Sequence, residues 1–347
     1  MRMDELCQIA SSRLPPAVAA YYRLGSSEGI SAAAAVAAWD RIRFRPRILR
    51  DVSVVSTTTT VLGQELATPV CVAPTALHRA AHPHGEVATA AGTAAAGSLM
   101  TVSTNSGMPF ASIGATGVRW WLQSYVMRDR GLTRAILERA VEAGASAVVL
   151  TADTPVVGRK RDAAEKVWDL VPGEYQLANI DTSGLPADAT EKAADLTPDT
   201  IGWLREVTGL PVVVKGVLHP DDARIAVAAG AAAVQVSNHG GRQLDQALAT
   251  ADALPDIVAA VADSGAEVYV DGGIRRAEHV LAALALGARA VFIGRPVLWA
   301  LTAGGAAGEG GSDGVATLLD GLTDGLAHVL TLAGVRSPAE ISADLLG

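Results

Sequence analysis

His239 and Arg242 stand three residues apart in the run Val234-Gln235-Val236-Ser237-Asn238-His239-Gly240-Gly241-Arg242-Gln243-Leu244-Asp245. The run reads as an apolar strand that stops at Ser237 and opens into a glycine-softened loop. A rigid strand end followed by an exposed loop is a good mount for catalytic groups. Imidazole exchanges a proton near neutral pH, and guanidinium grips a carboxylate through two parallel hydrogen bonds. A base beside a carboxylate clamp is what the oxidation of a 2-hydroxy acid needs. A polar turn capping a buried strand is the plainer reading of a lone histidine.

Other residues at strand ends extend this chemistry. Asp153 follows the apolar run Ala147–Thr151 and is the candidate carboxylate to orient His239; its plainer role is a helix cap before Thr154-Pro155. A carboxylate beside an imidazole fixes the ring and favours its protonated form. Lys215 ends an otherwise apolar strand, where burying an unpaired ammonium is costly, so an anionic partner is expected. Asp271-Gly272-Gly273 and Gly294-Arg295 close two further strands. Their glycines let backbone N–H groups approach phosphate oxygens, and Arg275 or Arg295 can neutralise the charge. No G-x-G-x-x-G follows a first strand, so nicotinamide binding has little support, and no metal site is expected.

The elements needed to position these residues are short buried strands alternating with helices. Apolar runs recur at Val70–Pro74, Leu99–Ser103, Trp120–Ser124, Ala147–Thr151, Val212–Lys215, Ala233–Ser237, Val268–Asp271 and Ala290–Gly294. Runs this short, rich in Val and without polar alternation, suit strands buried on both faces. Helical patterns lie between them, among them Leu132–Ala143, Pro220–Ala229 and Ala277–Leu286, each followed by or running up to a glycine (Gly144, Gly230, Gly287). Eight strands with intervening helices predict a (β/α)₈ barrel, whose polar strand ends gather at one mouth. The chain is expected to form a single domain: residues 1–69 make a mainly helical N-terminal extension with short strands around Val52–Thr60, and 70–347 make the barrel. The weakly periodic stretch of about 168–197 follows the fourth strand and reads as a lid.

Composition narrows the class. The 347 residues carry a net charge of −8, with no basic stripe to neutralise phosphates of nucleic acid. Only two cysteines occur, Cys7 and Cys71, which fits a reducing cytoplasm better than a disulfide framework. The opening Met1-Arg2-Met3-Asp4-Glu5-Leu6 lacks the apolar core of a signal peptide, and no uninterrupted apolar run reaches membrane-spanning length.

The segment Ser237–Asp245 closely resembles the SNHGxRQLD signature of the FMN-dependent 2-hydroxy acid oxidase and dehydrogenase family. Further segments resemble that family in the same order, over almost the whole chain: Leu14-Pro15 with Tyr21-Tyr22, Phe44–Leu49, Ala73–Ala76, Gln123–Tyr125, Leu150–Pro155, Val214–Gly216, Asp271–Arg276 and Gly294–Pro296. The resemblance implies FMN as cofactor, with Lys215 at the N1–C2=O edge of the flavin. It places Ala73, Thr75, Ala76, Ser103, Gln123, Thr151 and Ser237 along the isoalloxazine and ribityl chain, with Asp271, Gly273, Arg275, Gly294 and Arg295 toward the phosphate. It gives Tyr21 and Tyr125 hydrogen bonds to the substrate's carboxylate and hydroxyl, beside Arg242 and His239. A homo-oligomer, as a tetramer, follows from the resemblance alone.

Departures from the family cluster around the substrate. Where much of the family carries an aromatic residue after the second strand, this chain has Asn105, which should enlarge the pocket and add a hydrogen-bonding amide. Either Arg159 or Lys160 fills the family's arginine position, and lysine lacks arginine's bidentate fork. The following segment reads Lys166-Val167-Trp168-Asp169, and the lid is short for the family. The expected reaction is oxidation of a 2-hydroxy acid larger than glycolate to the 2-oxo acid. Ala76 in Pro74-Thr75-Ala76 resembles the oxidase members and favours oxygen as acceptor, giving hydrogen peroxide. The alternatives are a related dehydrogenase with another acceptor, a non-redox FMN barrel such as an isomerase, and a flavin-binding scaffold without activity.

Overall fold

A computed structural model of the chain describes residues 2–161, 167–186, 188–305 and 307–347; Lys166 lies outside them. Eight parallel strands close a barrel: β3 (Val70–Val72), β4 (Leu99–Ser103), β5 (Arg119–Ser124), β6 (Val148–Thr151), β7 (Val212–Val217), β8 (Ala233–Val236), β9 (Glu267–Asp271) and β10 (Ala290–Ile293), with β10 pairing back onto β3. Ahead of it stand three helices, α1 (Met3–Arg13), α2 (Pro16–Arg23) and α3 (Ile30–Asp40), and a hairpin of β1 (Thr59–Val61) and β2 (Gln64–Leu66). The hairpin sits later than the expected Val52–Thr60. Its turn needs positive φ, supplied by Leu62 and Gly63.

Side-chain alternation makes the two faces of each strand different. Outward residues such as Val70, Met100, Leu122, Val148, Val214, Val234, Val270 and Val291 pack against the helical ring. Inward residues at the lower end, Cys71, Leu99, Trp121, Val149, Val213, Tyr269 and Phe292, form a second cluster plugged from below by Val61 and Leu66 of the hairpin. Trp121, Tyr269 and Phe292 meet ring to ring at 5.6–5.7 Å and fill the axis. Further along the same inward faces come Ser103, Gln123, Thr151, Lys215 and Asp271. The interior thus changes from apolar to polar toward the C-terminal strand ends, where such barrels place their chemistry.

Helices end where the sequence predicts. Gly144, Gly230 and Gly287 follow the helices Arg130–Glu142, Pro220–Ala228 and Ala277–Ala285, all with positive φ. The long C-terminal helix Gly311–Ala333 has the length and mean hydropathy (1.2) of a membrane-crossing segment, but here it buries Leu319, Leu322, Leu326 and Leu330 in the core. Cys7 and Cys71 are free thiols.

Candidate active site

A cavity of about 350 Å³ opens at the polar end of the barrel. It is within the range of ordinary small-molecule and cofactor sites. Its walls come from nearly every strand end, from α2, and from the segment between β6 and β7.

At the barrel floor, Lys215 and Asp271 form an ion pair of 3.3 Å, their side chains only 5% and 7% exposed. The Ser237 hydroxyl joins them: it accepts from Lys215 Nζ (2.9 Å) and donates to Asp271 Oδ1 (2.7 Å). Gln235 donates to the other carboxylate oxygen at 2.7 Å. The expectation of an anionic partner for Lys215 is therefore met within the protein itself, by Asp271. On the neighbouring strands, Ser103 donates to Gln123 Oε1 (3.2 Å), and Gln123 Nε2 donates to Thr151 Oγ1 (2.9 Å). This chain fixes the amide's orientation under the cavity.

His239 follows β8 with φ +58, a left-handed conformation that a non-glycine residue adopts at a cost and that often marks a functional site. Its backbone N–H donates to Ser237 Oγ at 3.1 Å. Nδ1 lies 3.0 Å from Asp153 Oδ1, so the ring is held with Nδ1–H toward the carboxylate and Nε2 unprotonated. Burial lowers the imidazole's pKa below its ordinary value, and Asp153 only partly opposes this. The sequence argument from the carboxylate alone gave the opposite net direction, because it left out desolvation. Burial pushes the Asp153 carboxyl upward, but His239, Lys215 and Thr154 outweigh it and hold the group at about 2. Among the described residues no helix starts directly after Asp153, so its oxygens serve His239 and Thr154 instead of a cap. Gly216, with φ +106, makes room for it, since a Cβ there would lie 2.6 Å from Asp153 Cβ.

Arg242 donates through Nη1 to the carbonyls of Tyr21 (2.6 Å) and Leu24 (2.9 Å), and its guanidinium carbon lies 4.4 Å from the Tyr21 ring centroid. Trp168 also packs against Tyr21, edge to face, at 5.1 Å between centroids. Asn105 and Tyr125 line the same cavity. The Asn105 side chain has no hydrogen bond to another described residue, so its amide stays available. Lys160 lines the cavity, whereas Arg159 is exposed outside it. Of the two candidates, it is Lys160 that faces the cavity.

The other end of the cavity carries Arg275, Arg295, Gly273 and Gly294, with Ala73, Thr75 and Ala76 along the side. Burial lowers the guanidinium pKa of Arg275 to about 10 and of Arg295 to about 9. Neither is bonded to a described carboxylate: Arg275 donates to Ile274 O, and Arg295 to the carbonyls of Tyr22, Gly240 and Leu24.

All the expected site residues except Arg159, Asp153 and Ser237 line the cavity, and those last two lie directly behind it, bonded to His239 and Lys215. Sequence reasoning missed Trp168, Gln176 and Lys192, which come from the aperiodic segment and also form the wall. The segment is tied down: Asn179 bonds Phe110 N and Met108 O, and Lys192 bridges to Met127. No spacing rule marks such residues, because neither helix nor strand periodicity governs where they point.

Residues 10–347 match the family described as FMN-dependent dehydrogenase. The chain is 46% identical to an L-lactate oxidase of Nostoc sp. over 326 residues, 89% of each chain. It is 43% identical to glycolate oxidase 1 of Zea mays over 351 residues, covering 96% of this chain and 92% of the relative. Among solved structures, mandelate oxidase superposes with a TM-score of 0.89 at 38% identity, covering all of this chain and 97% of the other.

Proposed function

The chain belongs to the FMN-dependent dehydrogenase family, and from that premise we propose that it oxidises a 2-hydroxy acid larger than glycolate to the 2-oxo acid, with oxygen as the electron acceptor. FMN is its cofactor and it is an oxidoreductase. The cavity suits that group: two desolvated arginines at one end bond, among the described residues, only to carbonyls and can take an anion, and Gly294 and Gly273 leave the backbone bare beside them. Arg275 and Arg295 would hold the phosphate. Lys215 would face the flavin edge, and Ala73, Thr75, Ala76, Ser103, Gln123 and Thr151 would line the ring and ribityl chain. When bound, FMN supplies an acceptor for two electrons and the substrate's α-hydrogen.

The rest falls to side chains of this protein. Arg242 and Tyr21 hold the substrate carboxylate, and Tyr125 orients the hydroxyl. His239 removes the hydroxyl proton at Nε2. Asp153, ionised on the opposite nitrogen, stabilises the imidazolium that forms. The observation that carries this reading is the His239–Asp153 contact of 3.0 Å beside Arg242 in a flavin-sized cavity.

The finer claims rest on fewer residues. Oxygen is supported by Ala76 and by relatives named as oxidases of lactate, glycolate and mandelate. A larger substrate is supported by the unbonded Asn105 amide, where much of the family has an aromatic wall. Anaerobic mixing with a series of 2-hydroxy acids should bleach the flavin, and His239→Ala should slow that bleaching about 10²–10⁴-fold while FMN stays bound. Near-normal reduction by the variant would remove His239 from the reaction. Readmitting air should recolour the flavin and release hydrogen peroxide; recolouring by quinone or dye but not by air would replace oxygen with another acceptor. Glycolate bleaching the flavin faster than every larger acid would sink the size assignment.

A further inference from the structure

Among the described residues, two cations at the cavity are left without a counterpart. Lys215 is paired with Asp271, and His239 with Asp153. Arg275 and Arg295 stand at the phosphate end, and Arg242 is placed for the substrate's own carboxylate. Lys160 and Lys192 remain. Both line the cavity, and neither forms an ion pair with a described carboxylate.

Their geometry holds both charges at the substrate end. Lys160 Nζ donates to the carbonyls of Gly158 (2.9 Å) and Arg242 (2.5 Å), which position the ammonium without neutralising it. Lys192 enters from the far end of the lid, where its backbone bridges to Met127, and its Nζ lies 3.6 Å from the Tyr125 ring centroid. Around them, Asn105 and Gln176 contribute amides that can donate to an anion, and Trp168 supplies an apolar wall. Lys160 and Lys192 line one cavity with Arg242, and both Arg242 and Lys192 act electrostatically on the Lys160 ammonium; gathering these cations there is unfavourable unless an anion joins them.

We infer that Lys160 and Lys192 receive a second carboxylate at the distal end of the substrate, so that the preferred substrate is a 2-hydroxy dicarboxylate. The inference rests on the 2-hydroxy acid reading of the site. It also accounts for lysine at position 160: a single ammonium shared with Lys192 can meet a carboxylate from two sides without the planar registry a guanidinium demands.

The charge state gives an independent readout. Burial lowers both ammonium pKa values to about 8. Arg242, Lys192 and Arg295 push Lys160 further down, while Asp153 pulls Lys192 up. Both lysines are therefore charged below about pH 8 and lose charge as the pH rises through that value. The advantage of a dianionic substrate should fall over that interval.

The experiment compares anaerobic flavin reduction in the holoenzyme by malate and 2-hydroxyglutarate, both enantiomers of each, with reduction by 2-hydroxybutyrate and 2-hydroxyvalerate, which keep the chain lengths but lack the second carboxylate. The dicarboxylates should give a second-order reduction rate at least about ten-fold higher at pH 7, the scale of one charge-assisted hydrogen bond. Lys192→Gln should reduce the ratio of dicarboxylate to neutral substrate roughly ten- to hundred-fold, and Lys192→Arg should restore most of it. Retention of the bound-flavin spectrum shows that each variant is folded. Equal rates for the two substrate classes, or a Lys192→Gln effect that lowers both alike, overturn the inference and leave the 2-hydroxy acid reading standing. If no acid of either class bleaches the flavin, that reading falls and takes this inference with it.

Discussion

At the scale of single residues, the His239–Asp153 pair has a testable charge state. Burial keeps His239 neutral below its ordinary pKa, while the ionised Asp153 pulls in the other direction. A base works in its deprotonated form, so the acid limb of kcat/KM should lie below about pH 6.5. Asp153→Asn removes the group that raises the histidine's pKa, leaving Lys215 and Arg242 to lower it, so that limb should move to still lower pH. It also removes the charge that stabilises the imidazolium, and flavin reduction should slow by about two orders of magnitude. An acid limb that moves upward, or an unchanged rate, would show that Asp153 does not act through His239. The residue types of this pair were legible in the sequence because each follows an apolar run that ends in a loop. The balance between carboxylate and burial was not, since burial depends on what the barrel places around the ring. Likewise, the choice between Arg159 and Lys160 needed the loop's path, and Lys192 carried no sequence signal.

At the scale of elements, the barrel strands could be read because both faces of each are largely apolar, giving short unbroken runs such as Val148–Leu150 and Val212–Val214. What the runs concealed was parity: Trp121 with Gln123, Val213 with Lys215, and Tyr269 with Asp271 share an inward face, one member in the core and the next in the site. The β1–β2 hairpin was misplaced for the opposite reason, since three-residue strands carry too little pattern to fix a register. Strand β7 has a further device near its end. Its register with β8 shifts between Lys215 and Val217, around Gly216. With φ +106 and Asp153 packed where a Cβ would project, Gly216→Ala should destabilise the fold by about 1–3 kcal/mol and displace Asp153. A lowered melting temperature together with slower flavin reduction is expected. A variant with unchanged stability and rate would mean that the carboxylate's placement does not depend on this close approach.

At the scale of the whole molecule, closure of the barrel brings the last strand ends against the N-terminal extension, and two arginines make the join. Arg242 and Arg295 both donate to carbonyls of the last turn and C-cap of α2, Tyr21–Leu24, and Arg295 also reaches Gly240 in the loop after β8. Groups far apart in the sequence are therefore fixed by the same guanidinium that would contact the phosphate. Binding of FMN should accordingly stabilise the fold as a unit, by about 2.7 kcal/mol at one hundred times its Kd. The apoprotein should melt at a lower temperature than the holoprotein, with the difference growing as FMN is added. Arg295→Ala should weaken FMN binding about ten- to hundred-fold, the scale of a lost charge-assisted hydrogen bond, and shrink the thermal shift at fixed FMN. Its cost to the apoprotein should be smaller, because the carbonyls it leaves can turn to water at the cavity mouth while the phosphate loses a cation. Fluorescence titration of apoprotein with FMN separates the two effects. Undiminished FMN affinity in the variant would mean that Arg295 serves only to pin the extension and that the phosphate is held by Arg275 and backbone alone.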